Sequence, residues 1–292
     1  MTKKIKLENE LNVMVALDLT AMDPILLKYV SFLCKVWNVE HLYFTHNIKH
    51  YKLYDLYDDF LEEGITVEDI VDRALNKTVE DHYTAAVPFT VIITSDDYTE
   101  SILSHLAKEY KIDIMVTGNK DELQGTGALS QKLVRMLDAN VLLVPEEARH
   151  GMDHVLIPTD FSSASTKCFE VADSLVERSG GKVEALHVYN IPSFFFPYIN
   201  TDKAIDKTKL HLKEKVAQFR KKYKLREDIP FKYIDRRSLS VVEAIEIHAE
   251  KGDFDIIVTS ARGANTITSL FVGSVTNDLL IRNRKMPLLV IR

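Results

Sequence analysis

The sequence predicts an α/β protein of two tandem doubly wound domains, each a five-stranded parallel sheet with helices on both faces. Three observations predict it. The chain has 292 residues, about twice the ~150 of an ordinary domain. It also repeats itself at an offset of 142: Val13–Asp18 returns as Val155–Asp160, and Phe89–Thr117 returns without a gap as Phe231–Thr259. Finally, short apolar runs alternate with longer amphipathic stretches, and each half closes on an apolar run, Val141–Val144 and Leu288–Ile291. Matches in the same order along both halves argue for duplication. The polar stretch Glu146–Asp153 separates domains at 1–147 and 152–292.

The elements are clearest in the second half. Val155–Pro158 is a continuous apolar run of the kind buried on both faces of a sheet. A helix is expected over Ser163–Arg178, where Ala164, Cys168, Val171, Leu175 and Val176 recur at helical spacing. Ser162 or Ser163 can cap its start, and Gly180-Gly181 can end it. Val183–Val188 is the second strand. A helix over Asp206–Tyr223 carries Leu212, Val216, Phe219 and Tyr223 on one stripe, and its many lysines read as the solvated face of an amphipathic helix. Strands at Phe231–Ile234, Ile256–Thr259 and Leu288–Ile291 are separated by helices at Val241–Glu250 and Ser274–Ile281. Strand and helix in strict alternation imply parallel pairing.

Composition narrows the function. With 46% hydrophobic and 27% charged residues the chain is that of a globular protein. A formal charge of −6 is not the basic field of a dedicated nucleic-acid binder. No apolar run reaches the ~18 residues of a membrane span. The segment Met1–Leu11 lacks the apolar core of a signal peptide. Two cysteines, Cys34 and Cys168, cannot staple a chain this long, and both fall among apolar neighbours, as packing residues do. The expectation is a cytoplasmic protein with neither nucleic acid nor membrane as partner.

Ligands of open parallel sheets sit beyond the carboxyl ends of the strands, near the switch point. Asp160 follows the first strand, Val188 ends the second, and Ser260–Ser274 links the fourth strand to the last helix. That loop is rich in small and hydroxyl residues. Its end, Gly273-Ser274, opens a helix, whose free N–H groups and partial positive charge suit a phosphate. Glycine admits close approach to an anion, and loop residues with φ > 0 would form an amide nest.

Ile157-Pro158-Thr159-Asp160-Phe161-Ser162, Leu186-His187-Val188 and Ser260-x-x-Gly263-x9-Gly273-Ser274 together resemble the universal stress protein (UspA-like) family. The resemblance covers both halves and is far closer in the second. It implies that Asp160 contacts the nucleoside, that the Val188 backbone meets adenine, and that Gly263, Gly273 and Ser274 hold the phosphates of ATP, ADP or AMP. Pro158, Thr159, Ser260 and Arg262 complete the candidate set, and magnesium would arrive with the nucleotide. The function implied is a nucleotide-binding stress sensor or regulator, with an interaction scaffold or a slow ATP hydrolase as alternatives. Tandem members pair through their final strands, so an intramolecular pseudo-dimer through Val141–Val144 and Leu288–Ile291, with or without homodimerisation, is expected.

Two departures from the family pattern stand out. Ser260 replaces a glycine, at a cost of ~1 kcal/mol if the position is left-handed. The first half keeps Asp18 and Gly118 but has Asp121 for the second glycine, a loop four residues shorter, and Ala128 for the hydroxyl residue. At the common offset His46 stands where Val188 does. The first domain is therefore expected to be a degenerate partner. His187 reads as a core histidine, and His46 with His50 lack the partners of a metal set. Phe194-Phe195-Phe196-Pro197-Tyr198 could lid the cleft, meet a partner, or cover the sheet edge. No catalytic motif of the common hydrolases or dehydrogenases occurs, so an enzyme, beyond a weak ATPase, is not expected.

Overall fold

The computed structural model describes residues 10–49, 61, 64–119, 128–177, 179–192, 198, 200–263 and 272–292. Two compact units emerge, one built on Met1–His150 and the other on Gly151–Asn283 with Leu288–Ile291. The first unit runs β1 (Leu11–Ala16), α1 (Met22–Val36), β2 (Val39–Ile48), α2 (Val67–His82), β3 (Phe89–Ser95), α3 (Thr99–Glu109), β4 (Ile114–Asn119), α4 (Ala128–Met136) and β5 (Asn140–Pro145). The second runs β6 (His154–Pro158), α5 (Thr166–Glu177), β7 (Lys182–Tyr189), α6 (Thr201–Tyr223), β8 (Phe231–Asp235), α7 (Val241–Lys251), β9 (Ile256–Ser260), α8 (Ser274–Arg282) and β10 (Leu288–Ile291).

Within the units the strand orders are β3-β2-β1-β4-β5 and β8-β7-β6-β9-β10, and the pairings are parallel. The central strands are sealed on both faces: Val155, Leu156, Ile157, Ile256, Ile257 and Val258 have essentially no exposed surface. That is why they read as unbroken apolar runs rather than alternating ones. In each unit the chain leaves its first strand on one side and returns on the other, so a crevice opens between the ends of β1 and β4, and of β6 and β9.

The duplication extends to local devices. The Asp255 carboxylate accepts the backbone N–H groups of Asp153 and His154, both at 2.9 Å, as Asp113 accepts that of Asn12 at 3.0 Å. Leu19 and Phe161 are both left-handed, as are Lys111 and Asp253. Carboxylate bonds to strand-initiating amides should carry real stability. Asp255→Ala is expected to destabilise the second unit by about 1.5–3 kcal/mol, read as a lower urea midpoint.

One sequence expectation is corrected here. β1 and β2 carry a register irregularity between Leu11 and Asn12, so that Ala16 pairs with Thr45, whereas Pro158 pairs with Leu186. The bulge offsets β2 by one residue, and His46, not Thr45, is the counterpart of His187. Both rings bond the carbonyl at the strand exit: His46 Nδ1 that of Leu17 at 3.0 Å, and His187 Nδ1 that of Thr159 at 2.8 Å. The counterpart of Val188 is therefore Asn47, not His46.

Two helix starts also move. α5 begins at Thr166, because Ser162–Ser165 form a turn in which Ser162 Oγ accepts the Ser165 N–H at 3.3 Å. α6 begins at Thr201, capped by Asn200, whose side chain accepts the Lys203 N–H at 3.0 Å; the polar first turn hid it from a search for apolar periodicity. Leu212, Val216 and Phe219 are buried beneath α6. Cys168 is fully buried, and burial, aided by the field of Asp160, drives its thiol far above the usual value. Burial also raises that of Cys34. Neither is poised as a thiolate nucleophile.

Candidate nucleotide site

At the carboxyl ends of β6, β7 and β9 lies a cavity of about 310 Å³, at the lower bound of the ~300–1,000 Å³ of small-molecule sites. All nine candidate residues line it: Pro158, Thr159, Asp160, Val188, Ser260, Arg262, Gly263, Gly273 and Ser274. They come from four separate stretches of chain, which only the parallel topology brings together.

The Asp160 corner is rigidly built. Thr159 is buried, its hydroxyl 3.1 Å from that of Ser165 and accepting the Phe161 N–H at 3.1 Å. Asp160 Oδ1 accepts the Ser162 N–H at 3.0 Å. Phe161 sits at φ 62°, a conformation that costs a side-chain-bearing residue ~1–2 kcal/mol. Its ring recovers that cost by packing on His187, with centroids 4.5 Å apart, and on Phe219 at 5.6 Å. The left-handed step turns the chain sharply after Asp160 and leaves the carboxylate at the cavity mouth.

Opposite it, the two described ends of the glycine loop are stitched together. Ala261 donates its N–H to the Ile291 carbonyl at 2.8 Å, and its own carbonyl accepts the Gly273 N–H at 2.9 Å. Close approach explains both glycines. A β-carbon on Gly273 would stand 3.3 Å from the Gly263 nitrogen, and one on Gly263 would stand 3.1 Å from Asp160 Oδ2. Neither glycine has positive φ, so the expected left-handed nest is not formed by the described loop residues; the glycines are required for proximity. Residues 264–271 lie outside the described residues, as do Phe194–Pro197 and Asp121.

Ser260 likewise carries no left-handed penalty: it ends β9 in extended backbone. Its hydroxyl donates to the Arg262 carbonyl and so stiffens the loop entry. Gly273 is the N-cap of α8 and offers no side chain to cap it, while Ser274 is the first helical residue rather than the cap. The opening amides of α8 thus belong to the orphan donors of a helix start, and Ser274, Val275 and Thr276 all line the cavity. Thr276 ties this end down, bonding the Ser260 carbonyl at 2.8 Å.

Charge is distributed unevenly across the site. Asp160 is the one carboxylate and Arg262 the one guanidinium among the described lining residues. Arg262 is exposed and has no ion pair among the described residues. His187, whose ring also lines the cavity, must donate from Nδ1, because its partner is a carbonyl. Burial lowers its pKa, and Lys215 adds to that, against the Thr159 carbonyl and Asp160. The unfolded state therefore takes up the proton first: stability is full above the ordinary histidine value of ~6.5 and declines as pH falls through the lower folded value. The urea midpoint should fall between pH 7 and pH 5, and fall less in His187→Asn.

Sequence reasoning missed Ser165, Leu186, His187, Val241, Ile245, Thr259, Val275 and Thr276 as lining residues. His187, Thr259 and Val275 adjoin a residue that was chosen. Val241 and Ile245 were invisible because they come from the start of α7, whose approach to the cavity is a tertiary fact.

The universal stress protein family model matches residues 151–292. No curated protein matches the sequence. Among solved structures, a putative universal stress protein from Pseudomonas aeruginosa UCBPP-PA14 is 10% identical, with a TM-score of 0.64 over 98% of this chain and 94% of that one. A universal stress protein from Archaeoglobus fulgidus DSM 4304 is 18% identical, with a TM-score of 0.63 over 96% and 98%. A functionally unknown protein from Pseudomonas aeruginosa PAO1 is 11% identical, with a TM-score of 0.64 over 98% and 93%. At such identities these likenesses establish the fold, with both halves of this chain covered. Residues 151–292 form a domain of the universal stress protein family, in a chain whose fold is that of the family's two-domain members.

Proposed function

We propose that the second unit binds ATP, or ADP or AMP, and that the chain acts as a nucleotide-responsive stress sensor or regulator. The observation that carries this reading is the convergence of five chain segments on one cavity beneath the uncapped start of α8. Pro158, Leu186, Val188, Val241 and Ile245 supply apolar surface for a base. Asp160 offers a carboxylate to ribose hydroxyls. The amides of Ser274, Val275 and Thr276, with Arg262, which has no ion pair among the described residues, suit phosphate oxygens. Magnesium accompanying ATP would be carried chiefly by the phosphates, since Asp160 is the one carboxylate among the described lining residues.

The first unit is furnished differently, which supports one nucleotide per chain. Asn47 stands at the counterpart of Val188 and spends its amide on the Asp96 carbonyl and Thr99 hydroxyl, at 2.8 and 2.9 Å. Met22 is buried directly against Gly118, where a β-carbon would lie 2.5 Å from Met22 Cγ. A ligand-free scaffold was motivated by Ser260 and by the degraded first half; the backbone of Ser260 is unstrained, and the departures of the first half bear on the first unit. Millimolar ATP is expected to raise the unfolding temperature of the full chain; ligand at about 100 times Kd adds ~2.7 kcal/mol. No shift with ATP, ADP or AMP contradicts the proposal.

A further inference from the structure

We infer that the groove on the flank of α6 is a docking site for an acidic peptide segment of a partner protein, one bearing apolar side chains between its carboxylates. The groove, of about 630 Å³, runs between α6 and the segment after it and is lined by Val216, Ala217 and Leu225 with Lys213, Lys221 and Lys224. Arg220 and Glu227 complete the lining, and Glu227 is its one acid.

Charge identifies the occupant. Residues 201–224 hold Lys203, Lys207, Lys209, Lys213, Lys215, Arg220, Lys221, Lys222 and Lys224 against Asp202, Asp206 and Glu214, in a chain whose net charge is −6. Lys203 and Lys207, and Lys209 and Lys213, stand four apart within α6, a like-charge spacing that destabilises a helix. Among the described residues Lys213, Lys221 and Lys224 have no ion pair. Two nearby carboxylates are already engaged by Arg226: Asp173 at 3.0 Å and also Asp228. A row of uncompensated cations beside an apolar wall matches a ligand with both characters. A nucleic-acid strand would meet the lysines but find no aromatic ring among the groove's lining to stack on. A flat anionic lipid surface would leave the recess unfilled.

The proposal is independent of nucleotide binding. Its test is fluorescence anisotropy of the full chain with four labelled probes or competitors: a peptide of about a dozen alternating glutamates and leucines, oligoglutamate of equal charge, a single-stranded oligonucleotide, and phosphatidylserine vesicles. The glutamate–leucine peptide should bind about tenfold or more tighter than oligoglutamate and weaken with salt. It should lose about tenfold or more in Lys213→Glu/Lys221→Glu, while Arg73→Glu/Lys77→Glu on α2 leaves it unchanged. Circular dichroism melting confirms that both variants fold. The proposal is overturned if the peptide does not bind, if it binds the α6 variant as tightly as wild type, or if the oligonucleotide or vesicles bind in its place.

Discussion

Replacing Gly273 by valine is expected to abolish nucleotide binding while leaving the fold intact. The backbone there, at φ −58°, accepts any residue, so the effect is one of space. A β-carbon already lies 3.3 Å from the Gly263 nitrogen, 3.6 Å from the Arg262 carbonyl carbon and 3.9 Å from the Ala261 oxygen. Alanine forces a shift of a few tenths of an ångström. The two γ-methyls of valine must either part the loop ends, breaking the Gly273–Ala261 hydrogen bond, or project over the amides at the start of α8. Calorimetry should show a loss of about 100-fold or more in affinity for Gly273→Val, roughly 2.7 kcal/mol, and a smaller loss for Gly273→Ala. Equal binding by wild type and valine variant would remove the glycine loop from the site.

The second large effect is expected at Asp160. Its carboxylate faces the cavity and also accepts the Ser162 N–H at 3.0 Å, so two substitutions separate the roles. Asp160→Asn keeps an acceptor for Ser162 but not the negative charge; Asp160→Ala loses both. A charged acceptor for ribose hydroxyls contributes about 1.5–3 kcal/mol, so Asp160→Ala should weaken ATP binding by roughly 10- to 100-fold, with Asp160→Asn between it and wild type. If affinity for ribose-free adenine compounds falls as much as that for ATP, Asp160 is shaping the pocket rather than contacting sugar.

Much of this architecture could be read in advance, because its determinants are local. Continuous runs such as Val155–Ile157 declare strands sealed on both faces, and the offset of 142 carries the same logic from one half to the other. Asp160, Val188, Gly273 and Ser274 were legible because they lie at strand exits or a helix start; Pro158, Thr159 and Arg262 entered through the family resemblance. What escaped was tertiary. The one-residue bulge beside Leu11 cannot be seen in an ungapped comparison, yet it moves His46 onto His187 and puts Asn47 opposite Val188. The approach of Val241 and Ile245 depends on helix packing. The left-handed turn at Phe161 rests on contacts with His187 and Phe219 from two other elements. Gly263 and Gly273 were read as admitting close approach to an anion, whereas it is their neighbours in the chain that demand the lack of a side chain.

The most direct measurement is a calorimetric titration of the full chain with ATP, in parallel with Gly273→Val and with Met22→Glu, which places a charge beside Gly118 in the first unit. One ATP per chain should bind to wild type and to Met22→Glu alike, and none to Gly273→Val. Absence of heat from ATP, ADP and AMP at millimolar concentration, or binding lost in Met22→Glu but kept in Gly273→Val, would contradict a nucleotide site at the carboxyl ends of β6, β7 and β9.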